Sequence, residues 1–147
     1  MQAPRASHAG IYAFDAADPE LSLLPMAARR ALDVAGVHLS LAAWQTLALP
    51  ARQLLVQLGA GESVATERVR ACLREVSLRE EAVRPDPDPN RPPPELITAL
   101  GPLRPMAAER WSQLHALDRY VLAQLARRSR LERLAVAYDE IVAVRDA

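Results

Sequence analysis

Eleven consecutive residues set the strongest limit on how this chain can fold. From Arg84 to Pro94, six of the eleven positions are proline. Proline lacks an amide donor and its ring clashes with the preceding helical turn, so no helix crosses this stretch. It reads as an extended, semi-rigid connector of polyproline type. The Pro-x-x-Pro from Pro89 to Pro92 is read as plain linker in preference to a ligand for a partner domain.

What flanks the connector is helix-forming. The 147 residues include 28 Ala and 22 Leu against only 5 Gly, and aromatics supply 4%. Leu and Ala are strong helix formers and must provide most of the core. The length is that of one domain. The expectation is an all-α fold, an irregular bundle of about five to seven helices with the Pro-rich connector inside it. Residues 1–20 form an N-terminal arm, which either docks through Tyr12 and Phe14 or frays. Residues 21–147 form a single helical domain, with the linker at 84–94.

The spacing of apolar residues places the helices. Pro25 suits a first helical position and Gly36 a residue just past the end, giving a helix over 25–35. Ser40 is an N-cap for a short helix holding Trp44 and Leu47. Pro50 opens a third helix that Gly59 closes. Residues 62–81 read as one long helix, with Ala65, Val69, Cys72, Leu73 and Val76 on one face. A short helix covers 95–100. A long one covers 106–128, through Trp111, Leu114, Leu117, Val121 and Leu125. Ser129 and Glu132 form a capping-box pattern that starts the last helix. No useful strand run is found.

Charge narrows the range of partners. All 18 basic residues are Arg, balanced by 18 acidic residues. The absence of Lys, with the many Ala, is the mark of GC-rich coding. A neutral chain is a poor candidate for general nucleic-acid or anionic-membrane binding. No stretch approaches the ~20 apolar residues of a spanning helix. The first ten residues hold no apolar run, so no signal peptide is expected and the cytoplasm is the default location. Cys72, the single cysteine, excludes an internal disulfide.

The search for chemistry finds little. Phosphate-cradling Gly-rich loops, H-E-x-x-H and C-x-x-C are missing from the sequence. No catalytic residue, metal ligand set or resident cofactor is predicted. His115 and Asp118 are read as a surface hydrogen-bonding pair, and Cys72 as a small core hydrophobe. Arg127, Arg128, Arg130 and Arg133 cluster, but Glu132, Asp139 and Glu140 lie close in sequence, so the face is expected to neutralise itself. Arg29 and Asp33, one helical turn apart, either pair with each other or together offer a donor fork and an acceptor to a partner. Core packing is favoured for Trp44 and Trp111, although a partly exposed tryptophan is a frequent binding hot spot.

One block is more specific. It runs Leu24-Pro25-Met26, Arg29, Leu32-Asp33, Gly36, Leu39-Ser40-Leu41 and Trp44-Gln45, followed by Leu47, Arg52 and Leu55. With Phe14-Asp15 and Asp18 upstream, and Trp111, Leu114, Arg119-Tyr120, Leu122 and Glu140-Ile141 downstream, it resembles the nitrate reductase-associated protein family of bacteria. Ala31 and His38 stand where basic residues are common in that family. The resemblance implies a non-catalytic accessory or maturation factor for assimilatory nitrate reductase. On that reading Arg29, Asp33, Trp44 and Arg52 bind nitrate reductase or a molybdenum-cofactor maturation protein. The alternative is a carrier or sensor of an anion (nitrate, molybdate or a cofactor phosphate) through Arg29, Arg52 and Arg119.

Overall fold

The computed structural model describes residues 8–143. Among them are eight α-helices and one two-stranded antiparallel pair. The fold is mainly α, as the composition required. The chain divides into two compact units, one running up to Pro85 and the other beginning at Asp86.

The first unit holds α1 (Met26–Ala35), β1 (Val37–His38), α2 (Leu41–Thr46), α3 (Leu49–Gly59), α4 (Thr66–Cys72) and β2 (Arg79–Glu80). The centre of this unit is α1 packed on α3. Small side chains permit the approach: Ala27, Ala28, Ala31 and Ala35 are all buried. At Gly59 a Cβ would stand 1.7 Å from the Ala27 carbonyl oxygen. Only glycine therefore fits there. Gly36 ends α1 with φ of 74°, the left-handed conformation that the sequence expects of a helix terminator. Of the expected N-terminal arm, residues 1–7 lie outside the described residues; within the rest Tyr12 is buried and stacks on Phe14 at 4.9 Å.

The expected helix over 62–81 is corrected to α4 alone. It starts only at Thr66, after a turn whose Gly61 and Glu62 carbonyls accept from the Arg30 side chain. Beyond Cys72 the chain turns so that Arg79 and Glu80 pair with His38 and Val37. The Arg70 guanidinium holds this strand through a two-pronged pair with Glu80 at 2.9 and 3.0 Å. These contacts exchange helical hydrogen bonds for sheet and ion-pair bonds, which apolar spacing does not signal.

The second unit holds α5 (Pro94–Leu100), α6 (Ala108–Gln113), α7 (Ala116–Arg127) and α8 (Leu131–Tyr138), closed by a wide turn over Asp139–Ala143. Its buried apolar residues include Leu96, Trp111, Leu117, Val121, Leu122 and Leu134. The expected helix over 106–128 is broken at Leu114–His115, both extended at ψ near 150°. The break is stable because His115 Nδ1 accepts from the Leu117 amide at 3.0 Å and caps α7. Ser129 does not cap α8. It sits at φ of 55°, in a Schellman turn in which Arg130 N donates to Leu125 O and Ser129 N to Ala126 O, at 2.9 and 3.0 Å.

Two substitutions test these backbone readings by urea unfolding. Gly59→Ala is expected to cost at least about 2 kcal/mol, because the added methyl overlaps main chain. Ser129→Gly is expected to add about 0.5–1 kcal/mol by relieving a left-handed residue.

Candidate partner-binding face

The conspicuous block of the sequence, Leu24 to Arg52, folds around a loop. Leu21 is held at φ of 52°, and two side chains from α2 and α3 fix it there. Trp44 Nε1 donates to Leu21 O at 2.7 Å. Arg52 donates to Glu20 O and Leu21 O above it, and to Leu47 O at 3.0 Å and Gln45 O at 3.3 Å below it. Gln45 adds a bond to Ser22 O at 3.1 Å. Asp18 closes the loop from the other side by accepting from both the amide and the hydroxyl of Ser22. Those two bonds hold the Asp18 carboxyl below its ordinary range.

The entry to α1 is fixed from upstream. Pro25 cannot cap the helix with its side chain, and Asp15 substitutes for it. One Asp15 oxygen accepts from the Met26 amide at 3.2 Å and the other from the Tyr12 amide at 3.0 Å. The aromatic-acidic lead-in of the sequence therefore works as a tertiary helix cap.

The four residues expected to bind a partner thus separate. Trp44 is fully buried, so its large ring serves the core and its N–H serves the loop. Arg52 is half-buried and ties α2, α3 and the loop together. Arg29 and Asp33 are half-buried on α1. Among the described residues no ion pair joins these two, and the Arg29 guanidinium has no hydrogen-bond acceptor. The loop also leaves Leu23 64% exposed just before α1. Beside the loop lies an open groove of about 580 Å³, lined by Ile11, Pro19, Leu21 and Val56 among others.

Of the three arginines expected to line an anion pocket, Arg29 and Arg52 lie in the first unit and Arg119 in the second. Arg119 is buried, and its guanidinium donates to Leu114 O at 2.6 Å, Ser112 O at 3.4 Å and Trp111 O at 3.5 Å. His115 and Asp118, expected at the surface, are both buried. That expectation assumed one continuous helix with a solvated polar face, and the break at Leu114 turns both residues inward. Cys72 is half-buried, and burial pushes its thiol pKa up.

Arg30 is the residue that sequence reasoning missed. It is fully buried next to the more conspicuous Arg29. Its guanidinium reaches Gly59 O at 2.9 Å, Gly61 O at 2.5 Å and Glu62 O at 3.0 Å. The sequence signal was indirect: a Gly-Ala-Gly helix end, whose carbonyls no side chain shields.

Comparison with known proteins gives one result. A family model described as conserved nitrate reductase-associated protein matches residues 11–138. None of the curated proteins or solved structures compared with the chain matches it.

The division of roles among the arginines is testable by thermal and urea unfolding. Arg30→Lys and Arg119→Lys are each expected to cost about 1–3 kcal/mol, because one ammonium cannot serve three carbonyls. Arg29→Ala is expected to stay within about 0.5 kcal/mol of the parent, as a surface change does. An equal loss at all three positions would refute the assignment.

Proposed function

Because the chain belongs to the nitrate reductase-associated protein family, we propose that it acts in the cytoplasm as a non-catalytic accessory factor for assimilatory nitrate reductase. In this reading it is a binding module. It holds the enzyme, or a protein of molybdenum-cofactor maturation, through the face of α1 that carries Arg29 and Asp33. The observation that supports this most directly is the state of Arg29. Its guanidinium is uncommitted among the described residues, in a chain whose neighbouring arginines are spent on main-chain carbonyls. A planar donor fork beside a carboxylate one turn away suits recognition of a polar protein surface. Leu23 adds apolar area at the edge. Trp44 and Arg52 enter this reading as positioning residues, since they hold the loop that presents Leu23 and leads into α1.

Carriage of an anion through Arg29, Arg52 and Arg119 is less well supported. Two of those three guanidiniums already hold backbone oxygens, and an anion would have to displace them.

The test is affinity capture of the tagged protein from its native host grown on nitrate, read by mass spectrometry. Nitrate reductase or a cofactor-maturation protein is expected among the captured proteins. The variant Arg29→Ala is expected to lose most of that capture while keeping its melting temperature. Recovery of neither protein, with the enzyme abundant in the lysate, would overturn the association. Equal capture by the variant would overturn the face.

A further inference from the structure

A second surface lies on the other unit. Arg127, Arg128, Arg130 and Arg133 fall within seven residues at the joint between α7 and α8. The sequence suggested that neighbouring acids neutralise them, and the structure arranges those acids differently. Asp139 faces Arg104 at 3.5 Å. Among the described residues no ion pair includes any of the four arginines, and neither Glu132 nor Glu140 pairs with one of them. Among the described residues the Arg127 guanidinium donates to the neutral side-chain oxygen of Gln124 and to no carboxylate. Every residue from Arg127 to Arg133 is exposed.

The backbone beneath these side chains is ordered. The Schellman turn at Ser129 fixes the path from α7 into α8, so docking there need not order a loop. Arg130, the residue just before α8, provides no side-chain cap. Leu131 lies between the arginines and is 56% exposed. A chain of zero net charge therefore concentrates four positive charges against one negative, Glu132, around an apolar centre.

We propose that this turn is a docking surface for an acidic segment of a protein partner. Arginine forks bind carboxylates in paired hydrogen bonds, and Leu131 supplies the apolar contact that a peptide side chain would cover. Single-stranded nucleic acid fits less well, because the segment carries no aromatic ring on which a base could stack. An anionic lipid surface would require a broad apolar helix face beside the charges, where this turn offers one leucine. The proposal does not depend on the identity of the partner held by the α1 face.

The test uses the full chain and a labelled oligo-glutamate peptide, followed by fluorescence anisotropy. Binding is expected, with affinity falling at least about tenfold between about 20 mM and about 200 mM salt. The variant Arg128→Glu/Arg130→Glu is expected to bind at least about tenfold more weakly. Arg68→Glu/Arg74→Glu reverses two exposed arginines of the first unit and is expected to bind like the parent. If charge reversal lowers the melting temperature, Arg128→Gln/Arg130→Gln is used in its place. Failure of the parent to bind the peptide, or equal weakening by both charge reversals, would overturn the proposal. So would tighter binding of an oligonucleotide of equal charge or of anionic phospholipid vesicles.

Discussion

An arginine side chain laid across the carbonyl end of a different helix is the contact on which this molecule depends. Arg70 donates to Ala35 O at the end of α1, and Arg52 to Gln45 O and Leu47 O at the end of α2. Arg30 takes Gly59 O and two carbonyls beyond it at the end of α3, and Arg119 takes three at the end of α6. The last carbonyls of a helix have no partner within it and carry the negative end of its dipole. A guanidinium answers both needs, with a fixed positive charge and five donors in one plane. Short helices joined by tight turns have many such ends, and here the longest runs only from Ala116 to Arg127. A chain without lysine is well suited to that architecture, whatever its coding bias.

This use of arginine shapes where partners can bind. A guanidinium holding two or three buried carbonyls is poorly placed to meet another molecule, because leaving would strand those oxygens. The arginines left over are the informative ones. Arg29 sits beside Arg30 in sequence, yet one faces outward from α1 while the other is sealed beneath α3. The group at the α7–α8 turn is exposed throughout. The two surfaces differ in character, one mixing a donor fork with a carboxylate and the other almost wholly basic.

Much of the fold was legible because its signals are local. Pro25 and Gly36 bound α1, Ser40 caps α2 by accepting from the Ala43 amide at 3.1 Å, and Pro50 lies in the first turn of α3. Each signal acts within about one helical turn and needs no tertiary partner. The misread segments failed for the opposite reason. The apolar spacing through Leu114 and Leu117 continues unchanged across a break that His115 and Arg119 stabilise from opposite sides. The stripe from Ala65 to Val76 likewise continues past the point where α4 ends. Periodicity reports which residues face a core, and a helix-turn-helix can satisfy the same list as one long helix.

The family resemblance and the helical class followed from the sequence by itself, since order of residue types and helix-forming composition are properties of the chain. The residues that carried the resemblance were legible, but their roles were not. Trp44 and Arg52 look like binding residues on a one-dimensional reading, because tryptophan and arginine often are. Their work in the structure is to hold Leu21 and its neighbours, which lie more than twenty residues upstream. Whether an arginine faces solvent or a ring of carbonyls depends on which helix end comes to lie beside it. That neighbour is set by the packing of α1 on α3 and of α7 on its own unit, and no local pattern encodes it.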